Sequence, residues 1–379
     1  MSDSTPGFIC LFPGLPKEAA ALLERYHAIL KRALPMQSKH VRLLPANIRD
    51  LSRSLTMERG SDFRPDYMGR PETIAAYCHY FLPWNLVRLS RLFLGLNIDL
   101  KPDSVVMDLG AGPLTAMQAL WIARPDLREI PMTWHCLDKG SRILKTGKEL
   151  FLTMAPNSPW RVVTHRTTAL QPPHCRADLV IMANVLNELH PPHAKYSLSE
   201  TMDRLCNKVS AILSANGKIL AVEPGTRLAS RGLIRFREQL LERDFGIYAP
   251  CPHHGECPMP GTGLNAWCHF PLSTNDAPAW LNKISSQAGL SKSGLSLSFL
   301  WAGREESEEA FGNSPDAVRL ISKGFRLPEK ANGQYGCSSR GKVMLTSQAA
   351  SVAPGLLVTP KWPDSPGTDA KSGALILPV

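Results

Sequence analysis

From Ser104 onward, short apolar runs alternate with amphipathic segments along this chain. Alternation of this kind is typical of consecutive βα units, and it predicts an α/β fold built on a doubly wound parallel sheet. The predicted strands are SVVMDLG, MTWHCLD, WRVVTHR, ADLVIMAN and GKILAVEPG, and the predicted helices between the first three are LTAMQALWIARP and GSRILKTGKELFLTMA.

The rest of the chain is predicted to extend this domain at both ends. Residues 1–100 have helical periodicity, as in LPKEAAALLERYHAILKRAL, which predicts an N-terminal helical region. Residues 101–346 are assigned to the α/β domain, with a cysteine-rich insertion at 248–270 and GKVMLTS as the last strand. Residues 347–379 are rich in Pro, Gly, Ser and Ala, which predicts a flexible, poorly ordered tail.

The first predicted strand ends in Asp108, followed by Leu109, Gly110, Ala111 and Gly112. Glycines at a strand-to-helix turn let the backbone pass tightly and bring a ligand against the helix N-terminus. The E/DxGxG form is the one used for S-adenosylmethionine, in contrast to the phosphate-binding GxGxxG of dinucleotide sites. The alternative is a tight βα turn that binds nothing.

Further polar residues follow later strands, where parallel sheets present side chains to a ligand crevice. Asp138 ends the second strand, and its two acceptor oxygens suit the vicinal hydroxyls of a ribose. Asn184, Asn187 and Glu188 follow the fourth strand and are candidates for contact with cofactor or substrate. For all four residues, the alternative role is capping of the helix that follows.

The nine cysteines divide into scattered and clustered positions. The scattered ones lie in apolar segments and are interpreted as small buried hydrophobes: Cys10, Cys78, Cys136, Cys175 and Cys206. The others are expected to bind metal in a reducing compartment: Cys251, Cys257, Cys268 and, in a glycine-rich link before the last strand, Cys337. Competitors for the fourth position are His253, His254 and His269. Thiolates suit an iron–sulfur cluster or zinc, and the alternative is a loop of thiols without metal.

The charge of the chain favours a polyanionic partner. Its 43 Lys and Arg exceed its 33 Asp and Glu, giving a formal net charge of +10, and RNA is the simplest such partner. Arg227, Arg231 and Arg235 recur every four residues on one predicted helix, so they share a face. That face is either a ridge that contacts phosphates or an ordinary solvated surface.

Targeting signals are not predicted. No stretch of about 18 apolar residues is long enough for a membrane helix. The first twenty residues lack the basic and apolar regions of a secretory signal, and contain Asp3 and Glu18 with no early arginine, unlike a mitochondrial transit peptide. We therefore expect a bacterial cytoplasmic protein.

Three blocks together resemble a known family: EPGT before a basic helix, then APCPHHGECP, then WCHF. The chain resembles the methyltransferase-like proteins of mitochondrial small ribosomal subunit assembly and their bacterial relatives, from the N-terminal helices to about residue 345. DLGAGP, the Asp138 region and VLNELHP match the methyltransferase elements of that family. Leu114 stands where the family's cofactor loop commonly has glycine, and we expect it to crowd the turn.

The resemblance implies a class I, Rossmann-like methyltransferase fold and binding of S-adenosylmethionine. It also implies a 4Fe–4S cluster on Cys251, Cys257, Cys268 and Cys337, with zinc as the alternative metal. It implies binding to the small ribosomal subunit and its RNA. We expect the protein to be a monomer.

Three functional hypotheses follow from the sequence. The first is a methyltransferase-like protein that acts on ribosomal RNA. The second is a non-catalytic assembly factor that uses the fold as an RNA-binding platform. The third is a small-molecule methyltransferase with structural zinc. No [DN]PPY-type motif is present, and Glu188 and His190 are the candidates for a general base.

Overall fold

A computed structural model describes residues 10–57, 67–190, 194–262, 266–304 and 314–379 of the chain. Its helices are α1 (Lys17–Ala33), α2 (Ser38–Met57), α3 (Pro71–Ala76), α4 (Leu82–Gly95), α5 (Thr115–Ala123), α6 (Ser141–Met154), α7 (Leu186–Leu189), α8 (Leu198–Ile212), α9 (Arg227–Leu241) and α10 (Ala279–Gln287). Its strands are β1 (Ser104–Leu109), β2 (Met132–Asp138), β3 (Trp160–Arg166), β4 (Ala177–Ala183), β5 (Leu213–Pro224), β6 (Gly246–Ala249), β7 (Phe270–Leu272), β8 (Leu295–Gly303), β9 (Val318–Leu320), β10 (Phe325–Arg326), β11 (Asn332–Ser338), β12 (Gly341–Ser347), β13 (Leu357–Val358) and β14 (Leu375–Pro378). None of the helices within the described ranges is both long and apolar enough to cross a membrane.

The chain divides into two compact units. The α/β unit comprises Gly14–Gly217 and Ser273–Leu295. The β unit comprises Lys218–Leu272 and Ser296–Val379, together with the segment that ends at Pro13.

In the α/β unit, parallel strands run in the order β3-β2-β1-β4. Helices α5 and α6 connect β1 to β2 and β2 to β3, and the chain then returns to the other side of β1 to form β4. Doubly wound sheets bind their ligands where the strand order reverses, outside the carboxyl ends of the strands. The order confirms the predicted α/β class, and the DLGAG turn lies at this reversal.

The N-terminal helices belong to the α/β unit. Helix α1 buries Ala19, Leu23, Tyr26 and Leu30, a spacing of three and four residues that forms one apolar stripe. The Tyr26 hydroxyl donates a hydrogen bond of 2.6 Å to the side-chain oxygen of Gln118 in α5. Helices α1–α4 agree with the helical periodicity of residues 1–100. These helices lie in the unit that contains the parallel strands. The first nine residues lie outside the described part of the chain.

The β unit contains an antiparallel arrangement that the sequence pattern did not predict. Strand β8 pairs antiparallel with β5 on one side and with β6 on the other, and β7 also pairs with β8. The segment GKILAVEPG is a strand, as predicted, but its partner in this unit is antiparallel. A continuous apolar run does not specify strand direction, which is set by the chain that follows it.

A second sheet of six strands completes the β unit, in the order β13-β9-β11-β12-β14 with β10 paired to β11. Its buried core contains Val318, Leu320, Val343, Leu345 and Leu377. Strand β14 pairs in parallel with β12, so the tail predicted to be flexible is instead ordered. That prediction was wrong because a few apolar residues within a Pro- and Gly-rich segment suffice for strand pairing. Cys337 likewise lies inside β11, and the predicted glycine-rich link there is also wrong.

Candidate functional site

The glycine turn after β1 has a backbone that other residues would strain. Gly110 has φ +76°, and a Cβ built on it would lie 2.4 Å from Cγ2 of Val185, so both conformation and space require glycine. Gly112 has φ +52°, but a Cβ there meets nothing within 4 Å. The turn is therefore tight on the side of Val185 and open at Gly112, where a ligand can approach the backbone.

Leu114 begins α5 in a left-handed conformation, with φ 58° and ψ 42°. This conformation costs a non-glycine residue about 1–2 kcal/mol, whereas full burial of a leucine side chain contributes about 1.5–3 kcal/mol. Leu114 is fully buried, so burial offsets the strain. We expected Leu114 to crowd the glycine turn. It does not crowd Gly112, because no Leu114 atom lies within 4 Å of a Cβ built on that residue.

Asp138 joins the glycine turn to the turn after β2. One carboxylate oxygen accepts a hydrogen bond from the Gly112 amide at 3.0 Å, and the other accepts one from the Gly140 amide at 2.8 Å. Helix α6 starts after Gly140 with no side-chain cap, so the helix-capping alternative does not apply to Asp138. Burial raises the pKa of Asp138, and the two amides oppose that shift.

Asp108, at the end of β1, is an unusual buried acid. Its side chain is 1% exposed, and within the described residues neither carboxylate oxygen has a hydrogen-bond partner. Burial, with a smaller contribution from the charge of Asp138, raises the pKa of Asp108 to about 8. A buried polar group without a partner is costly, and such groups are concentrated at functional sites.

The polar side chains after β4 do not cap helix α7. Asn184 is left-handed at φ 62°, and its side-chain oxygen accepts a hydrogen bond of 3.0 Å from Arg88 of α4. Helix α7 has Val185 as its N-cap with no side-chain cap, and it contains the half-buried Asn187 and the exposed Glu188. Contact of these residues with a ligand stays a prediction.

Two residues of this site, Tyr77 and Arg88, were missed by sequence reasoning. Tyr77 begins a π-helical turn, Tyr77–Phe81, and burial raises its pKa, with further contributions from the nearby charges of Glu188 and Asp138. Single π-helical turns inside helices are frequent at functional sites. A weak sequence signal was present, since Arg88 is a charged residue inside the apolar segment LPWNLVRL.

In the β unit, one cavity is lined by the four clustered cysteines Cys251, Cys257, Cys268 and Cys337. Burial raises the pKa of Cys257, Cys268 and Cys337, to about 11 for Cys257, and the neighbouring cysteines raise these values further. Within the described residues, no group of three or more His, Cys, Asp or Glu side chains is arranged to hold a metal ion. The predicted metal-binding insertion is therefore not confirmed, although its three cysteines and Cys337 line the same cavity.

The three candidate histidine ligands make different contacts. Nε2 of His253 lies 3.5 Å from Sγ of Cys337, and burial lowers the pKa of this histidine to about 4. His254 Nε2 accepts a hydrogen bond from the Ile247 amide at 3.1 Å. His269 Nδ1 lies 3.1 Å from the carbonyl oxygen of Trp267. Of the three, His253 lines the cysteine cavity.

Two buried arginines also line this cavity, each 3% exposed. Arg237 donates to the carbonyl oxygens of His253 and Gly255 at 2.9 and 2.8 Å. Arg319 donates to the carbonyl oxygen of Pro250 at 3.1 Å, and burial lowers its pKa to about 10 while nearby cysteines oppose that shift. These arginines hydrogen-bond to backbone carbonyl groups of the cysteine segment and place positive charge beside the thiols.

The three arginines predicted to contact RNA have different surroundings along α9. The Arg227 guanidinium lies 4.9 Å from the centre of the Trp267 ring, and Arg231 donates to the Gly261 carbonyl oxygen at 2.7 Å. Arg235 forms an ion pair of 2.6 Å with Glu238. The expected ridge is thus partly engaged with protein, and its contact with phosphates stays a prediction.

Comparison with known proteins identifies a family. A family model described as "Mitochondrial small ribosomal subunit Rsm22" matches residues 95–326. No curated protein sequence matches the chain. Solved structures that are similar include the magnesium protoporphyrin IX methyltransferase ChlM from Synechocystis PCC 6803 with bound SAM. The identity there is 12%, over 77% of this chain and 100% of that chain, with a TM-score of 0.34.

Two other similar structures are methyltransferases. The mitomycin 7-O-methyltransferase MmcR is 14% identical over 62% of this chain and 72% of that chain, with a TM-score of 0.36. The ribosomal protein L11 methylase from Lactobacillus delbrueckii subsp. bulgaricus is 16% identical over 43% of this chain and 70% of that chain, with a TM-score of 0.30. Similarities this low identify neither a ligand nor a substrate.

Proposed function

The chain belongs to the family described as mitochondrial small ribosomal subunit Rsm22, and we propose that it binds S-adenosylmethionine and an iron–sulfur cluster. We propose further that it is a methyltransferase-like protein that acts on, or assembles, the small ribosomal subunit through its RNA. The observation on which this rests is the buried, unpartnered carboxyl of Asp108 beside the glycine turn.

The residues around the turn fit S-adenosylmethionine by charge and by space. The molecule contains a sulfonium and an ammonium group, and a cation near Asp108 would favour its ionised form and satisfy its oxygens. Gly110 and Gly112 let the backbone approach a ligand closely. Asp138 keeps acceptor capacity for a ribose diol after accepting two amides. When bound, the cofactor supplies an electrophilic methyl group.

The cysteine cavity fits an iron–sulfur cluster better than a single zinc ion. Zinc binds sulfur at about 2.3 Å, so its ligand sulfurs lie within roughly 4 Å of one another. A 4Fe–4S cluster is larger and holds four cysteine ligands further apart, which agrees with four cysteines lining one shared cavity. The buried Arg237 and Arg319 offset the negative charge of four thiolates.

Binding to ribosomal RNA is proposed from the family and from charge. The family description names the small ribosomal subunit. The net charge of +10 supports association with a polyanion, and arginines of α9 such as Arg235 are exposed for it.

The cofactor proposal is tested by calorimetric titration of the anaerobically purified protein with S-adenosylmethionine. We expect wild type to bind and Asp108→Asn to bind at least about tenfold more weakly, because a charge-assisted contact contributes roughly 1.5–3 kcal/mol. Wild type that binds no S-adenosylmethionine would overturn the proposal. For the cluster, we expect charge-transfer absorbance with matching iron and sulfide, whereas stoichiometric zinc would contradict it.

One observation favours a second function, a non-catalytic assembly factor. Glu188 is exposed, and His190 Nδ1 lies 3.4 Å from the hydroxyl of Thr201, so neither is held as a buried general base. A methyl-transfer assay on 30S particles separates the two functions. Binding of S-adenosylmethionine without transfer supports the assembly factor, and transfer supports the methyltransferase.

A further inference from the structure

The β unit has an open groove, lined in part by strands β10, β11 and β12. Sites for small molecules typically enclose most of their ligand, whereas this groove is open to solvent. Residues Trp267 and His269 line it, whereas Cys268 between them lines the cysteine cavity. Side chains alternate along an extended segment, and this alternation directs the two rings into the groove.

Four ring systems line this groove in two pairs. Trp267 and His269 are stacked, with centroids 4.9 Å apart and an interplanar angle of 19°. Phe325 and Tyr335 have centroids 4.9 Å apart and are tilted by 35°. All four side chains are half-buried, so each is held by the protein and keeps accessible surface. Planar rings held in this way suit the stacking of planar ligands.

Positive charge accompanies the rings. The Arg227 guanidinium lies 4.9 Å from the Trp267 ring centre, and Lys342 Nζ lies 5.9 Å from the Tyr335 ring centre. The exposed Arg326 and Lys371 add two further cations to the lining. Among the described residues, the lining contains one carboxylate, Asp369, which accepts hydrogen bonds from the Ser372 amide and hydroxyl.

We propose that this groove binds an unpaired segment of RNA, with bases stacked on its rings and phosphates beside its cations. The inference rests on the proposed RNA-binding function and names the surface that performs it. Stacking on aromatic side chains combined with a basic groove is how proteins hold single strands. Bases within a duplex are stacked on one another and do not reach such rings, so the groove selects unpaired RNA.

The test measures binding of a fluorescent, unstructured RNA of about 12 nucleotides, within the site sizes of single-strand binders, and of the same RNA annealed to its complement. Tyr335→Leu removes one ring, and Tyr196→Leu is its matched control, because Tyr196 is an exposed tyrosine beneath Arg204 in the α/β unit. The pair Arg326→Ala with Lys371→Ala removes two exposed groove cations. Its control removes Lys323 and Lys361, exposed lysines of the same unit that do not line the groove.

We expect tighter binding of the single strand than of the duplex. Tyr335→Leu should weaken it about 5- to 100-fold with an unchanged salt slope, as expected when one base no longer stacks. The double cation variant should lower the salt slope by about 0.7 for each phosphate that the protein no longer neutralises. If every groove variant bound RNA with the affinity of wild type, this inference would be overturned and the proposed function would stand. A wild type that binds no RNA would overturn both, and titration with S-adenosylmethionine would still test the cofactor site.

Discussion

The two units bury charge in opposite ways. The α/β unit buries an acid, Asp108, with a second acid nearby and no hydrogen-bond partner among the described residues. The β unit buries two cations, Arg237 and Arg319, beside four cysteine thiols. Each arrangement becomes favourable with a ligand of the opposite charge. A cationic cofactor suits the first unit, and an anionic cluster suits the second.

The largest expected effect follows removal of a thiol from the cavity. Cys337→Ala should lose nearly all iron and its charge-transfer absorbance, because one of the four proposed ligands is gone and metal binding is coupled to folding. Iron analysis and thermal unfolding of anaerobic protein measure this. Cys175→Ala is the matched control, since Cys175 is a half-exposed thiol that does not line the cavity. Equal iron in both variants would contradict the assignment of Cys337.

Removal of a buried cation should have the next largest effect. Arg319→Met leaves the carbonyl oxygens of Pro250 and Gly355 without this donor, and we expect a destabilisation of about 2–4 kcal/mol. Arg235→Met removes an exposed ion pair with Glu238 and should change stability by less than about 1 kcal/mol. Urea unfolding of both variants makes the comparison. If both variants lost a similarly small free energy of unfolding, the buried position of Arg319 would not contribute to stability.

Asp108 should have an effect of the opposite sign that depends on pH. Its folded pKa of about 8 lies above the unfolded value, so the folded state binds the extra proton between about pH 4 and 8. Stability from this proton is therefore lost as pH rises through that window. Asp108→Asn should gain stability relative to wild type as pH rises, by up to about 1.4 kcal/mol per unit, and level off above pH 8. A pH-independent difference in melting temperature would exclude a raised pKa.

The smallest expected effect follows substitution of Asp138, the second acid near Asp108. Its charge is the second cause of the raised pKa of Asp108, after burial. Asp138→Asn should therefore shift the pH range over which ionisation of Asp108 lowers stability to slightly lower pH. The measurement compares the pH dependence of stability of Asp138→Asn with that of the double variant that also has Asp108→Asn. The same substitution should weaken the hydrogen bond from the Gly112 amide. An unmoved window would mean that burial alone raises the pKa.

The sequence predicted local features better than distant ones. The glycine turn and Asp108 are contiguous, and strand order follows from the handedness of βα units, so periodicity sufficed. Convergence of Cys337 with Cys251 was implied by family resemblance and not by spacing, because a strand of a second sheet brings it there. Tyr77 was missed because an aromatic residue in an apolar helix normally indicates core packing.

The ordered C-terminus has a practical consequence. Strand β14 covers one side of β12 up to Thr346, whose carbonyl oxygen accepts a hydrogen bond from the amide of Val379. Deleting the last five residues would leave that side of β12 as a bare edge and open the core around Leu377, which favours aggregation between copies. An affinity tag is therefore better fused to the other end of the chain.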